Sequence, residues 1–157
     1  RPGPGVGGHC IAVDPWFIVH SSPENARLIR TAREVNDAKP DFVVAEIMAL
    51  ANRFKTPRVA CLGLSFKADI DDLRESPAVS IVERLAEQDG IDILVVEPHI
   101  ETLPAQLAAG NITLVSLSQA VEQADILVML VNHRVFRTLD TRLLQNKLLV
   151  DTRGEWR

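Results

Sequence analysis

Gly3-Pro4-Gly5-Val6-Gly7-Gly8-His9-Cys10 runs directly into Ile11-Ala12-Val13-Asp14-Pro15. Four glycines and a proline in residues 3–8 exclude a helix or a central strand. They leave a backbone that can pass close to a ligand and enter φ > 0. The loop ends in a thiol, Cys10, and a carboxylate, Asp14, follows four residues later. A helix starting near Cys10 would set both on one face. A thiol and an acid displayed behind a glycine loop suit covalent chemistry on a small substrate. A free cysteine is otherwise most often a small buried hydrophobe. The glycines favour the functional loop.

Gly3-x-Gly5-x-x-Gly8 also spells the dinucleotide fingerprint, but that pattern has meaning only between a strand and a helix. Only Arg1 and Pro2 precede it, and Pro4 removes an N–H that a phosphate cradle would use. The 157 residues, 46% hydrophobic and 24% charged, suit one full domain with an appendage. The chain opens without Met inside the glycine loop, as expected of a piece of a longer protein. A net charge of −4 with no basic block argues against nucleic-acid binding. No apolar run is long enough to span a membrane. Cys10 and Cys61 lie in different contexts, which makes a reducing cytoplasm the default. His9 beside Cys10 offers no metal-ligand spacing, so no metal is expected.

The elements that must position this loop follow from apolar spacing. Residues 24–38 predict a helix with Leu28, Ala32 and Val35 on one stripe and Arg27, Arg30 and Arg33 on a solvated face. Pro40 interrupts the pattern, and Val43, Ile47, Leu50 and Phe54 form a second stripe, giving two helices or one that is kinked. These stripes call for a partner surface and so predict a homodimer. After Lys55-Thr56-Pro57, apolar runs at 59–64, 93–96, 113–115, 126–131 and 148–150 predict strands. Helices are expected from Pro77 to Glu87 behind a Ser76 cap, and from Ser118 to Ala124, with a further helical stretch at 141–145. The alternation predicts an α/β fold with a doubly wound, Rossmann-like parallel sheet.

Ligands of such sheets lie beyond the carboxyl ends of the strands. The sequence places Ser65-Phe66-Lys67 with Asp69, Asp72 and Arg74 there, then Glu97-Pro98-His99, Asn132-His133-Arg134 and Asp151-Thr152-Arg153-Gly154. Lys67, Arg74, Arg134 and Arg153 could form one phosphate-binding rim, although each taken singly is more often a surface cation. The first βα turn lacks the glycine fingerprint, which points to a mononucleotide or a nucleotide sugar gripped by side chains rather than to NAD held in the usual way.

Three stretches, residues 5–14, residues 63–67 with Asp72-Leu73-Arg74-Glu75-Ser76-Pro77, and Val150-Asp151-Thr152-Arg153-Gly154, resemble the UDP-glucose/GDP-mannose dehydrogenase family. His-Cys-Ile-Ala-Val-Asp-Pro, with Val-Asn-Asp at 35–37 and Val-Glu-Pro at 96–98, is most similar to its bacterial members acting on UDP-N-acetyl-D-mannosamine. The resemblance implies that residues 1–56 are the catalytic loop and part of a central helical dimerisation domain, and that 57–157 are a UDP-sugar-binding Rossmann-like domain. The family's NAD domain would lie upstream. It further implies NAD as cofactor, Cys10 as nucleophile, Asp14 as the carboxylate acting on water, Gly7, Phe66, Lys67 and Arg153 as substrate contacts, and Arg74 as a contact to the NAD pyrophosphate. Alternatives are a UDP-glucose or UDP-N-acetylglucosamine enzyme, or a non-catalytic nucleotide-binding or dimerisation module.

Overall fold

The computed structural model describes residues 3–108 and 110–156. Three helices come first: α1 (Asp14–Ser21), α2 (Arg27–Asp37) and α3 (Lys39–Ala51). Then follow β1 (Arg58–Leu62), α4 (Pro77–Ala86), β2 (Asp92–Val96), β3 (Ile112–Leu114), α5 (Leu117–Gln123), β4 (Ile126–Met129), α6 (Arg134–Arg137) and β5 (Leu148–Asp151). The five strands form one parallel sheet in the order β3-β2-β1-β4-β5.

The sheet is buried on both faces, which is why its strands read as unbroken apolar runs. Val59, Cys61, Ile93, Val95, Ile126 and Val128 pack against α3 and α4, while Ala60, Leu62, Leu94, Val96, Leu127 and Met129 face α5, Phe136 and Leu144. Two strands, β1 and β4, end two residues short of their apolar runs. Gly63 turns the chain out of β1 at φ 92°, and a Cβ there would collide with Val131. The N–H groups of Leu130 and Val131 both point at the Leu62 carbonyl, so the ladder alternation of β4 ends. The cap of α5 is Ser116, paired reciprocally with Gln119 in a capping box, rather than Ser118. Ser76 does precede α4, but its hydroxyl donates to the Leu64 carbonyl at 2.6 Å instead of capping the helix. Thr141–Leu144 is a single 3₁₀ turn.

In the N-terminal part, α2 and α3 are separate helices that abut at Ala38, with Pro40 accommodated in the first turn of α3. Val43 and Ile47 are buried against the sheet core as expected. Leu28 and Val35 of α2 face outward, 81% and 69% exposed, and Phe17, Ile18 and Phe42 are exposed as well. The side chain that α2 buries is Arg33, which the periodicity had placed on the solvated face. It turns inward to Asp37 at 2.5 Å and to the Ile11 carbonyl at 3.5 Å, so the loop covers it.

The carboxyl ends of three strands meet at Glu97. Its Oε2 accepts the N–H groups of Leu64 at 2.7 Å and Ser65 at 3.1 Å, both just beyond β1. Its Oε1 accepts the His99 N–H at 3.1 Å. His133, fully buried beyond β4, takes the Asp69 N–H on Nδ1 at 2.9 Å; its Nε2–H therefore points to Glu97 Oε2 at 3.1 Å. Burial pushes the Glu97 pKa up, but the His133 and main-chain donors outweigh it and hold the carboxyl below its usual range.

Replacing Glu97 by Ala leaves these donors buried without an acceptor and should lower stability by about 3 kcal/mol. The folded pKa lies below the unfolded one, so the carboxylate's contribution is present above the unfolded value, near about 4.3, and is lost as pH falls through the folded one. Urea unfolding across the acid range should show this loss in the parent chain and not in Glu97→Gln.

Candidate active site

The glycine loop lies across the start of α4 and the segment after β1, and its glycines are required by what they touch. A Cβ on Gly7 would run into the Glu75 carbonyl. Glu75 itself sits at φ 50°, a left-handed conformation uncommon for a residue with a side chain, and this turns its carbonyl toward the loop. Gly8, at φ 93°, lies against the Phe66 ring, and a Cβ would come within 3.0 Å of it. The chain then makes one turn, with the Asp14 N–H on the Cys10 carbonyl at 2.8 Å, before α1 begins. The helix therefore starts at Asp14, not at Cys10. Both residues are exposed and one helical turn apart.

Gly7, Phe66, Lys67 and Arg153 come together along one cleft of about 860 Å³, which Gly3, Gly5, Ile11, Asn132 and the Val35–Asn36 end of α2 also line. Lys67 is exposed and Phe66 half-buried. The hub at Glu97 places both, because Ser65, fixed by Glu97, donates its hydroxyl to the Lys67 carbonyl at 2.7 Å. Arg153 is set by Asp151, whose carboxylate accepts the N–H groups of Arg153, Gly154 and Trp156 at 2.8–2.9 Å. Its Nε donates to the Leu130 carbonyl at 3.1 Å. Burial lowers the Arg153 pKa, partly offset by Glu155.

Arg74 is in a second groove, of about 850 Å³, with His9, Val13, Asp72 and Gln106. Asp72 holds it there, accepting Nε at 2.9 and 3.1 Å and a terminal nitrogen at 2.6 Å. The hydrogen bonds from Arg74 hold the Asp72 carboxyl down to about 2. Arg74 is raised in turn, chiefly by Asp72, with a smaller pull from Cys10. Arg134 is in a third place, paired with Asp69 at 3.2 Å. The four cations therefore do not share a rim: Lys67 and Arg153 do, while Asp72 and Asp69 pin the other two elsewhere.

Cys10 is exposed at the end of the loop; His9 before it lines the Arg74 groove, and Ile11 after it lines the Lys67–Arg153 cleft. The other cysteine differs: Cys61 is fully buried in β1, and burial pushes its thiol up to about 12. The Asp69, His99 and His133 ligand atoms also cluster within 4.8 Å, but both ring nitrogens of His133 are engaged, one accepting and one donating. The positioning residues Glu97, His133, Asp151 and Asn36 carried no role in the sequence reading. Glu97 and Asp151 had their strand-end places and the Val-Glu-Pro and Val-Asp-Thr-Arg-Gly stretches as signals, His133 only its strand-end place, and Asn36 only its Val-Asn-Asp context.

Residues 60–157 match the UDP binding domain of the UDP-glucose/GDP-mannose dehydrogenase family, and residues 1–38 match its central domain. The chain belongs to the UDP-glucose/GDP-mannose dehydrogenase family. It is 60% identical, over 99% of its length, to the NDP-N-acetyl-D-galactosaminuronic acid dehydrogenase of Ralstonia nicotianae, of which it covers 36%. It is 58% identical, over 87% of its length, to the UDP-N-acetyl-D-mannosamine dehydrogenase of Campylobacter jejuni, of which it covers 34%. Its fold superimposes on the UDP-N-acetyl-mannosamine dehydrogenase of Staphylococcus aureus with a TM-score of 0.80 and 36% identity, over 99% of this chain and 36% of that one. The chain thus spans about a third of the length of these family members.

Iodoacetamide at mildly alkaline pH should label Cys10 and spare Cys61 until the sheet unfolds. Peptide mass spectrometry before and after denaturation checks this, and early labelling of Cys61 would contradict the placement of the two thiols.

Proposed function

We propose that this chain is the catalytic-loop and UDP-binding part of an NAD-dependent 6-dehydrogenase that converts the C6 alcohol of UDP-N-acetyl-D-mannosamine to a carboxylate. The observation that carries the reading is the exposed Cys10 at the end of the glycine loop, between His9, which lines the groove of Arg74, and Ile11, which lines the cleft of Lys67 and Arg153. Residues 1–56 supply the catalytic loop and helices of a dimerisation domain, and residues 57–157 supply the nucleotide-sugar domain. The exposed apolar residues of α1–α3 form the homodimer contact. The enzyme works in the cytoplasm.

Lys67 and Arg153 hold the diphosphate, Phe66 packs against the nucleotide sugar, and the main chain at Gly7 lies alongside it. Cys10 adds through sulfur to the C6 aldehyde, forming a C–S bond while the carbonyl oxygen takes up a proton. The resulting thiohemiacetal cannot escape as a free hydrate would. Once oxidised it is a thioester. Asp14 orients water and accepts its proton; the C–S bond breaks, the thiol is restored and the carboxylate leaves. NAD⁺, when bound, supplies the oxidant for both two-electron steps. The segment between β1 and α4 has no dinucleotide glycine pattern, and Arg74 is what this chain offers the cofactor's pyrophosphate. By itself, this chain binds nucleotide and does not turn over. The 60% identity to an NDP-N-acetyl-D-galactosaminuronic acid dehydrogenase favours, as a second reading, the galacto epimer of the same N-acetylhexosamine class.

In the full-length enzyme, Cys10→Ser should abolish uronic acid formation or strand a covalent intermediate, because serine is a weak nucleophile at neutral pH. Product assay with a panel of UDP-sugars tests both the nucleophile and the epimer. Near-normal product from the variant would remove Cys10 from its role.

Calorimetric titration tests the grooves separately. Each charge-assisted phosphate contact is worth roughly 1.5–3 kcal/mol, so Lys67→Ala and Arg153→Ala should each weaken UDP about tenfold or more. Arg74→Ala should leave UDP binding unchanged and raise KM for NAD⁺. UDP affinity indifferent to both Lys67 and Arg153 would overturn the assignment.

A further inference from the structure

The loop that carries Cys10 has little main-chain support. Among the described residues, the hydrogen bonds that tie residues 3–9 to the rest of the molecule are those between Val6 and Asn36 of α2. The Val6 N–H donates to Asn36 Oδ1 at 2.8 Å, and Asn36 Nδ2 donates to the Val6 carbonyl at 3.4 Å. The side-chain amide thus presents one acceptor and one donor to a single residue, as a neighbouring strand would. Three residues earlier on the same face of α2, buried Arg33 reaches the Ile11 carbonyl. Asp37 Oδ1 accepts from both, at 2.5 Å from Arg33 and 3.1 Å from Asn36. Cys10 is therefore bracketed, with Asn36 holding the chain before it and Arg33 holding the residue after it.

We propose that Asn36, tied to Arg33 through Asp37, is a positioning residue for the nucleophile: α2 acts as a template that fixes where the Cys10 sulfur stands. This rests on the reading of Cys10 as nucleophile. Asn36 borders the cleft, but its amide is engaged by Val6 and Asp37, and the diphosphate is assigned to Lys67 and Arg153. Loss of the clasp should therefore appear in the chemical step and not in substrate binding. A displacement of about 1 Å at a reacting atom is worth on the order of a hundredfold in rate.

The test uses the full-length enzyme carrying Asn36→Ala, read two ways. Steady-state kinetics should give a kcat lower by about 10- to 100-fold with KM for the UDP-sugar changed by no more than about twofold. Hydrogen exchange should show faster exchange in the peptide spanning Val6 while β1, β2 and β4 keep their protection. A kcat equal to the parent's overturns the proposal, as does a rise in exchange throughout the sheet, which would make Asn36 merely structural. If the parent enzyme oxidises no UDP-sugar, the function reading fails, and exchange alone then decides the clasp: a loop no less protected in the variant overturns it. If Asn36→Ala does not fold, Asn36→Asp, which keeps the acceptor for the Val6 N–H, is read in the same two ways.

Discussion

A carboxylate withdrawn from water must be surrounded by donors, and Glu97 imposes that requirement on three strand ends at once. Its partners come from the segments after β1, β2 and β4, so one buried charge ties three loops together. His133 and Ser65 lie buried beyond the ends of β4 and β1, and the cleft that Lys67 lines is beside the glycine loop. From Glu97 the order passes to Ser65, from Ser65 to the Lys67 carbonyl, and so to the cation that faces the cleft.

Among the described residues, the loop meets the sheet domain through close main-chain contact. Gly7 against the Glu75 carbonyl and Gly8 against Phe66 are packing constraints in which a methyl group already has no room. Both partners belong to the segment between β1 and α4, which also carries Lys67 and Arg74. The two matched regions of the family, central and UDP-binding, are thus in register through main-chain approach. A side chain added on either side would shift Cys10 relative to both grooves.

Much of this was legible in the residues. Strands buried on both faces leave apolar runs that need no periodicity to be found, and all five emerged within a few residues of their observed ends. What was not legible depends on contacts distant in sequence. Arg33 reads as a solvated helix position because nothing in its own helix signals that the glycine loop folds over it. Glu97 and His133 stand 36 positions apart and meet only because the strand order sets β2 and β4 on either side of β1. α1 gave no amphipathic signal, since Trp16, Phe17 and Ile18 are apolar and remain exposed. The four cations looked alike in sequence. The carboxylates of Asp69 and Asp72 decide which are held away from the shared rim, and those bonds belong to turns whose shape no spacing rule supplies.

The unlike fates of the two thiols bear on how the protein meets oxidants. A sulfenic acid formed at an exposed cysteine is usually rescued when a neighbouring thiol condenses with it to a disulfide. Cys61 is sealed inside the sheet and cannot serve, and this chain has no third cysteine. Peroxide damage at Cys10 therefore finds no resolving thiol within these residues, and its reversal calls on a thiol from outside them. Where that supply fails, the next oxidation, to the sulfinic acid, is final.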